Sequence, residues 1–172
     1  RMMRQTCTVQ MNMDYGPDEQ TLVKRFLACQ YLAPYMTAVF ANSPIVDCKL
    51  TEYKSFRSKV WQEIDKSRTG FVDVSLIEKE LTKKSCVDAY FERLMEGQVV
   101  FIEALNYEVP ESTITFREWI KNGYKDIFPT IHDFETHSTL FFPEVRAKGF
   151  LEVRSVDGQS KVWQTVPASV YA

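Results

Sequence analysis

An α+β fold, in which a few antiparallel strands are covered by helices, is predicted by three features of this sequence. The first is unbroken alternation over Thr6–Asp14. Cys7, Val9, Met11 and Met13 fall on one face and Thr6, Thr8, Gln10, Asn12 and Asp14 on the other, as strand geometry with period two requires. The second is the helical spacing of apolar residues through most of the middle of the chain. The third is a further strand pattern at Phe150–Ser155, which puts Leu151 and Val153 on one face and Glu152 and Arg154 on the other.

The 172 residues suffice for one core but not for two full domains, so residues 1–172 read as a single domain. An apolar fraction of 45% with 26% charged residues is that of a globular protein. The net charge of −2 provides no basic field for nucleic acid or an anionic membrane. No apolar run approaches the roughly 20 residues of a spanning helix, and no signal peptide opens the chain. Cys7, Cys29, Cys48 and Cys86 are widely spaced without a CxxC pair, which suggests neither zinc nor a redox motif. Reduced thiols predict a cytoplasmic protein. The chain opens on Arg1, a few residues from the strand, and stops at Ala172 in an apolar stretch, so a fragment of a larger protein is expected.

Taken in order, the first strand carries a polar face of hydroxyl and amide groups. Such a face suits an oxygen-rich ligand, and equally a half-solvated antiparallel strand. Tyr15-Gly16-Pro17-Asp18 is a turn whose Asp18 can cap the helix that follows. Leu22, Val23, Phe26, Leu27 and Cys29 keep helical spacing, and Pro34 is expected to split off a second piece through Met36, Val39 and Phe40. Asn42-Ser43-Pro44 stops it. Residues 53–64 predict a helix with Tyr53, Phe56, Val60, Trp61 and Ile64 as its buried stripe and Arg57 beside that stripe. A turn at Ser67–Gly70, helices at 74–82 and 85–96, and a β-rich run at Gln98–Leu105 follow. Helices are expected over Thr115–Asn122 and Thr130–Leu140, then the strand at Phe150–Ser155, a turn at Asp157-Gly158, and a helix from Ser160.

Glu152 and Arg154 bring a carboxylate and a guanidinium to one side of a strand. A carboxylate can hold Mg²⁺ and a guanidinium matches phosphate oxygens. The same spacing also fits a cross-strand ion pair. Arg57 is either a clamp for a substrate carboxylate or a snorkelling surface side chain. His132 and His137 are five apart, which does not align two imidazoles on one helical face. Walker A, dinucleotide and nucleophile-elbow motifs are absent from the sequence.

Four ordered blocks resemble the plant- and bacterial-type glutamate–cysteine ligases. They are Arg4-x-Thr-Cys-Thr-Val-Gln-x-Asn-x-Asp14, Ala38-Val-Phe-Ala-Asn-Ser-Pro44, Phe56-Arg-Ser-Lys-Val-Trp61 with Asp65-Lys-Ser-Arg-Thr-Gly70, and Phe142-Pro-Glu-Val-Arg146 with Phe150-Leu-Glu-Val-Arg154 and Asp157-Gly158. The resemblance implies part of a glutamine-synthetase-like catalytic fold that joins the γ-carboxylate of L-glutamate to the amine of L-cysteine, using ATP and Mg²⁺, through a γ-glutamyl phosphate. It implies Glu152 as a Mg²⁺ ligand, Arg154 as the group stabilising the transferred phosphoryl, and Arg57 as the grip on glutamate. Gln10 and Asn12 would line the metal and nucleotide floor. The family's acidic metal-ligand strand has no counterpart here, so the missing N-terminal part of the ligase or a complementary subunit is the implied partner. Residues 71–127 depart from the plant pattern, which keeps open a related ligase with another amine acceptor. From a different class, a non-catalytic module binding glutamate or a nucleotide would carry the same fold.

Overall fold

The computed structural model describes residues 6–172. Arg4, which opens the first block of the resemblance, lies outside the described residues. The first strand, β1 (Thr8–Met13), pairs antiparallel with β7 (Leu151–Asp157), and β6 (Val145–Ala147) flanks β7 on its other side, giving the order β1-β7-β6. The strand predicted over Phe150–Ser155 therefore runs two residues further and sits at the centre of the sheet. The α+β expectation holds.

β7 is not a plain strand. Val9 pairs with Val156 and Met11 with Val153, so Gln10 alone opposes both Arg154 and Ser155. This is a β-bulge, one extra residue in β7. Strict alternation would have put Val156 on the side of Glu152 and Arg154. The bulge returns it to the core beside Leu151, Val153 and Met11.

Helix α1 (Glu19–Val39) covers that apolar face with Val23, Phe26, Cys29 and Met36, joined by Cys86 and Ala89 of a later helix. Asp18 caps α1 as expected, its carboxylate accepting from the Thr21 amide at 2.7 Å. The break expected at Pro34 does not occur, and α1 runs through it as one helix of 21 residues. Ala33 and Met36, on either side of the proline, are both buried. Their packing outweighs the roughly 3 kcal/mol that an interior proline costs.

The hairpin β2 (Ile45–Val46) and β3 (Lys49–Leu50) leads into α2 (Phe56–Glu63), whose N-cap is Ser55. Thr69–Gly70, expected as part of a turn, is a short strand β4 lying parallel to β5 (Phe142–Pro143). Helices α3 (Ser75–Glu80) and α4 (Lys83–Met95) follow. The run at 98–105 is not a strand. It makes isolated bridges at Gln98 and Ile102 and closes in a 3-10 turn, Glu103–Leu105. Val99 and Ile102, three apart, both turn into a second core with Met95, Phe116 and Trp119, a spacing that strand alternation cannot provide. Helices α5 (Phe116–Asn122) and α6 (Ile131–Thr139) start on Thr115 and Thr130 with capping boxes. The last helix, α7 (Val166–Tyr171), begins six residues after the expected Ser160, behind a run of turns. No helix among the described residues is long and apolar enough to cross a membrane.

Candidate active site

Glu152 has Asn12 as its register partner in β1 and Arg146 as its partner in β6. Two guanidinium groups converge on its carboxylate: Arg154 Nη1 lies 3.1 Å from Oε2 and Arg146 Nη1 lies 3.7 Å from it. Arg154 Cζ sits 5.5 Å from the Trp61 ring centroid and 5.6 Å from that of Phe142, and Arg146 Cζ lies 5.3 Å from Phe142. These contacts are within cation–π range. Glu152, Arg154 and Arg146 are only 9%, 8% and 7% exposed. The pair read from spacing does share a face, but that face is covered, so it is a buried ionic cluster and not an exposed pair. Burial depresses the pKa of Arg146, and the Glu152 carboxylate opposes that shift.

Gln10 and Asn12 stand on the adjoining strand with their side chains exposed, Asn12 opposite Glu152 and Gln10 opposite the bulge. Arg146 was missed by the reading of the sequence. Its signal was available in the Phe-Pro-Glu-Val-Arg block, whose arginine lies one short turn before the Glu152 strand.

Arg57 does not stand at an open site. Only 4% exposed, it donates from Nη2 to the Arg154 carbonyl and from Nη1 to the Ser155 carbonyl at 3.4 Å. Its Nη1 is also 3.7 Å from the Asp157 carboxylate. Its helix inverts the expected stripe: Arg57 is buried, whereas Phe56, Val60 and Trp61 are half-buried and Ile64 is exposed. The physical reason is the bulge, whose buried carbonyls take side-chain donors in place of a regular ladder: Arg57 shares the Arg154 carbonyl with Thr8 Oγ1 at 3.3 Å and the Ser155 carbonyl with Thr37 Oγ1 at 3.1 Å. Burial lowers the Arg57 pKa, against the attraction of Glu144 and Asp157. A substrate carboxylate could claim this guanidinium only by displacing those partners.

Asp157, 1% exposed, gathers three of the quoted blocks. Its Oδ2 accepts from the Asn42 amide at 2.9 Å and Ser43 Oγ at 2.7 Å, and its Oδ1 accepts from Ser55 Oγ at 2.9 Å. Asn42 Nδ2 reaches on to the Gly158 carbonyl at 2.8 Å. A side chain at Gly158 would meet Cys7 Sγ at 2.9 Å, so glycine is needed there for space.

Beside Trp61 lies an open cavity of about 500 Å³, lined by Ser58, Gln62, Phe71, Arg93 and Glu144 among others. Trp61 Nε1, Arg93 Nε and Glu144 Oε2 are buried polar atoms without a hydrogen-bond partner. Burial raises the Glu144 pKa even though Arg57 and Arg154 pull it down. These atoms lie behind the cavity wall, where Arg93 is held by its Nη2, which donates to the Lys66 carbonyl at 2.5 Å and the Thr69 carbonyl at 2.6 Å.

The histidines serve elsewhere. His132 is 3.3 Å from Glu103 on the surface, and buried His137 stacks on Phe116 with Nε2 2.8 Å from the Leu94 carbonyl. The described residues contain no group of three or more His, Cys, Asp or Glu placed to hold a metal. Glu152 is thus a lone carboxylate at this place, with Arg154 and Arg146 as its charged neighbours. All four cysteines are free thiols.

Across its whole length, residues 1–172, the chain matches the model of glutamate-cysteine ligase family 2 (GCS2). It is 34% identical over 160 residues to the chloroplastic glutamate–cysteine ligase of Medicago truncatula, 32% to that of Nicotiana tabacum and 33% to that of Arabidopsis thaliana. Each alignment covers 91% of this chain and 30% of the relative, so the chain spans about a third of the length of these relatives. Their names correct the cytoplasmic expectation, since each is a chloroplastic enzyme. Free thiols report a reducing environment and not the compartment that maintains it.

Proposed function

The chain belongs to glutamate-cysteine ligase family 2, and from that membership we propose that it carries part of the active site that joins L-glutamate to L-cysteine at the expense of ATP, in the first step of glutathione synthesis. The observation that carries this reading is the Glu152–Arg154–Arg146 cluster on one face of the central strand. In the proposed reaction a γ-carboxylate oxygen of glutamate attacks the terminal phosphorus of ATP and ADP leaves. The cysteine amine then attacks the γ-carbonyl carbon of the acyl phosphate and expels phosphate, with loss of a proton.

Mg²⁺ bound with the nucleotide would neutralise phosphate charge, and Glu152 would be this chain's ligand to it. Arg154 would meet the charge that develops on the transferred phosphoryl group, where a fixed cation acts most strongly. Arg146 adds a second positive charge at the same place. Asn12 and Gln10, exposed on β1, would border the nucleotide. Glutamate recognition, which the resemblance assigned to Arg57, is proposed instead for the cavity beside Trp61. Its Glu144 carboxylate suits the ammonium of an α-amino acid, and the exposed Lys66 on the same wall suits its carboxylate. The plastid is the compartment that the relatives' names suggest for the parent enzyme.

The test is kinetic. In the whole ligase, Glu152→Gln should weaken Mg²⁺-ATP binding, and Arg154→Lys should leave ATP affinity nearly intact while lowering kcat. A purely structural cluster gives another pattern: loss of one partner of a buried pair costs about 3–5 kcal/mol of stability and leaves the turnover of the folded fraction unchanged. Wild-type turnover in both variants would remove the catalytic assignment.

A further inference from the structure

We propose that helix α2 is the positioning device for Arg154, holding its backbone through Arg57 and its guanidinium through Trp61. The functional part of this claim rests on the ligase reading above. Arg57 and Trp61 are four residues apart and so face the same way, one turn from each other on an eight-residue helix. β6 supports β7 only as far as the pairing of Val145 with Val153 and the Arg154 amide, which donates to the Glu144 carbonyl at 2.9 Å. Beyond that point the bulge begins, and the forked guanidinium of Arg57 alone spans both carbonyls, of Arg154 and Ser155, while Thr8 Oγ1 and Thr37 Oγ1 each reach one of them, at 3.3 Å and 3.1 Å. One turn later the Trp61 ring lies 5.5 Å from Arg154 Cζ. A single short helix thus grips both ends of one residue.

The helix is itself anchored. The Arg57 amide donates to Ser43 Oγ at 3.0 Å, and the N-cap Ser55 hydroxyl donates to Asp157 at 2.9 Å. The Trp61 ring packs against Phe142 with centroids 5.6 Å apart. Asp157 closes the circuit because it belongs to β7, the strand being held. Neither Arg57 nor Trp61 needs to touch a substrate for this device to act. Lysine at position 57 would keep the charge, but its point-like ammonium cannot span two carbonyls as the planar fork does. Release of the bulge would let the Arg154 head group shift, and a misplacement of about 1 Å is enough to cost roughly 10²-fold in rate.

Fluorine NMR of the fluorotryptophan-labelled chain tests the geometry directly, since the 3 tryptophans give one resonance each and Trp61→Phe assigns the relevant one. Arg154→Met defines the Trp61 shift when no guanidinium lies over the ring. Arg57→Lys should move the Trp61 resonance towards that value while the Trp119 resonance, set in the second core, stays in place. Millimolar guanidinium added to Arg57→Ala should restore it. A Trp61 resonance unmoved by Arg57→Lys, in a chain where Arg154→Met does move it, overturns the proposal. Should Arg57→Lys unfold the chain, which the Trp119 resonance would reveal, Trp61→Leu in the whole ligase decides, because it leaves the Arg57 bonds alone. Trp61→Leu should lower kcat by about 10²-fold with the KM for ATP and for glutamate both held within about twofold, and an unchanged kcat, or a loss confined to the glutamate KM, overturns the positioning role. A parent protein without glutamate-dependent ADP release would remove the ligase reading alone, and the fluorine shifts would still decide the clamp.

Discussion

Glu144 is a carboxyl group in an unusual position. Its Oε2 is buried without a hydrogen bond, and burial raises its pKa against the pull of Arg57 and Arg154. A carboxyl whose folded pKa exceeds its unfolded one contributes stability below the unfolded value and loses it as pH rises through the folded value. Glu144→Gln, a neutral mimic of the protonated acid, should therefore raise the melting temperature at neutral pH, and the gain should fade as pH falls below about 4, where wild type becomes protonated in the unfolded state as well. Paired thermal melts across that range check it, and a gain that persists at low pH would contradict it. Residue-scale reading of the sequence separated by chemistry. Glu152 and Arg154 could be placed on one face from spacing alone, because alternation is a local property. Arg57 could not be placed, since which carbonyls lack donors depends on a bulge opposite a strand from the other end of the chain.

At the scale of elements, caps were legible and packing was not. Asp18 was legible as a cap, and the helices expected from Thr115 and Thr130 do start there, each threonine proving to be the N-cap whose side chain accepts from an amide three residues on. Thr115 merits a test because α5 inserts Phe116 and Trp119 into the second core. Thr115→Ala should cost about 0.5–2 kcal/mol, read as a lower melting temperature, with Trp119 emission shifting at that same lower temperature. An unchanged melting temperature would show that tertiary packing alone holds α5. Pro34 and the 98–105 run were misread for a common reason. A proline penalty and a β-rich composition are weak local preferences, and buried neighbours such as Ala33, Met36 and Ile102 override them.

For the whole molecule, the chain spans about 30% of the relatives' length and contributes one carboxylate to the proposed nucleotide site. Among the described residues, β1 and β6 each pair on one side only, leaving both sheet edges open to further strands. The isolated 172-residue chain should therefore show negligible glutamate- and cysteine-dependent ADP release with Mg²⁺. Turnover at the about 1–10³ per second usual for enzymes would mean that this chain alone assembles the site. The family was legible in the sequence from its ordered blocks, and the structure brings those blocks together: Asn42 and Ser43 bond Asp157, Arg57 lies 3.7 Å from it, and Trp61 lies against Phe142 and Arg154.

The pairing of the first strand with the seventh also sets the order of events during synthesis. Thr8 Oγ1 donates to the Val156 carbonyl across 148 residues of sequence, so almost the entire chain must leave the ribosome before the central sheet can close. At about 5–20 residues per second, β1 waits on the order of 10 seconds for β7 to emerge. Helix α1, complete long before then, already offers Met11 the apolar face on which it packs in the finished fold. Strand and helix can therefore meet before β7 arrives to complete the sheet.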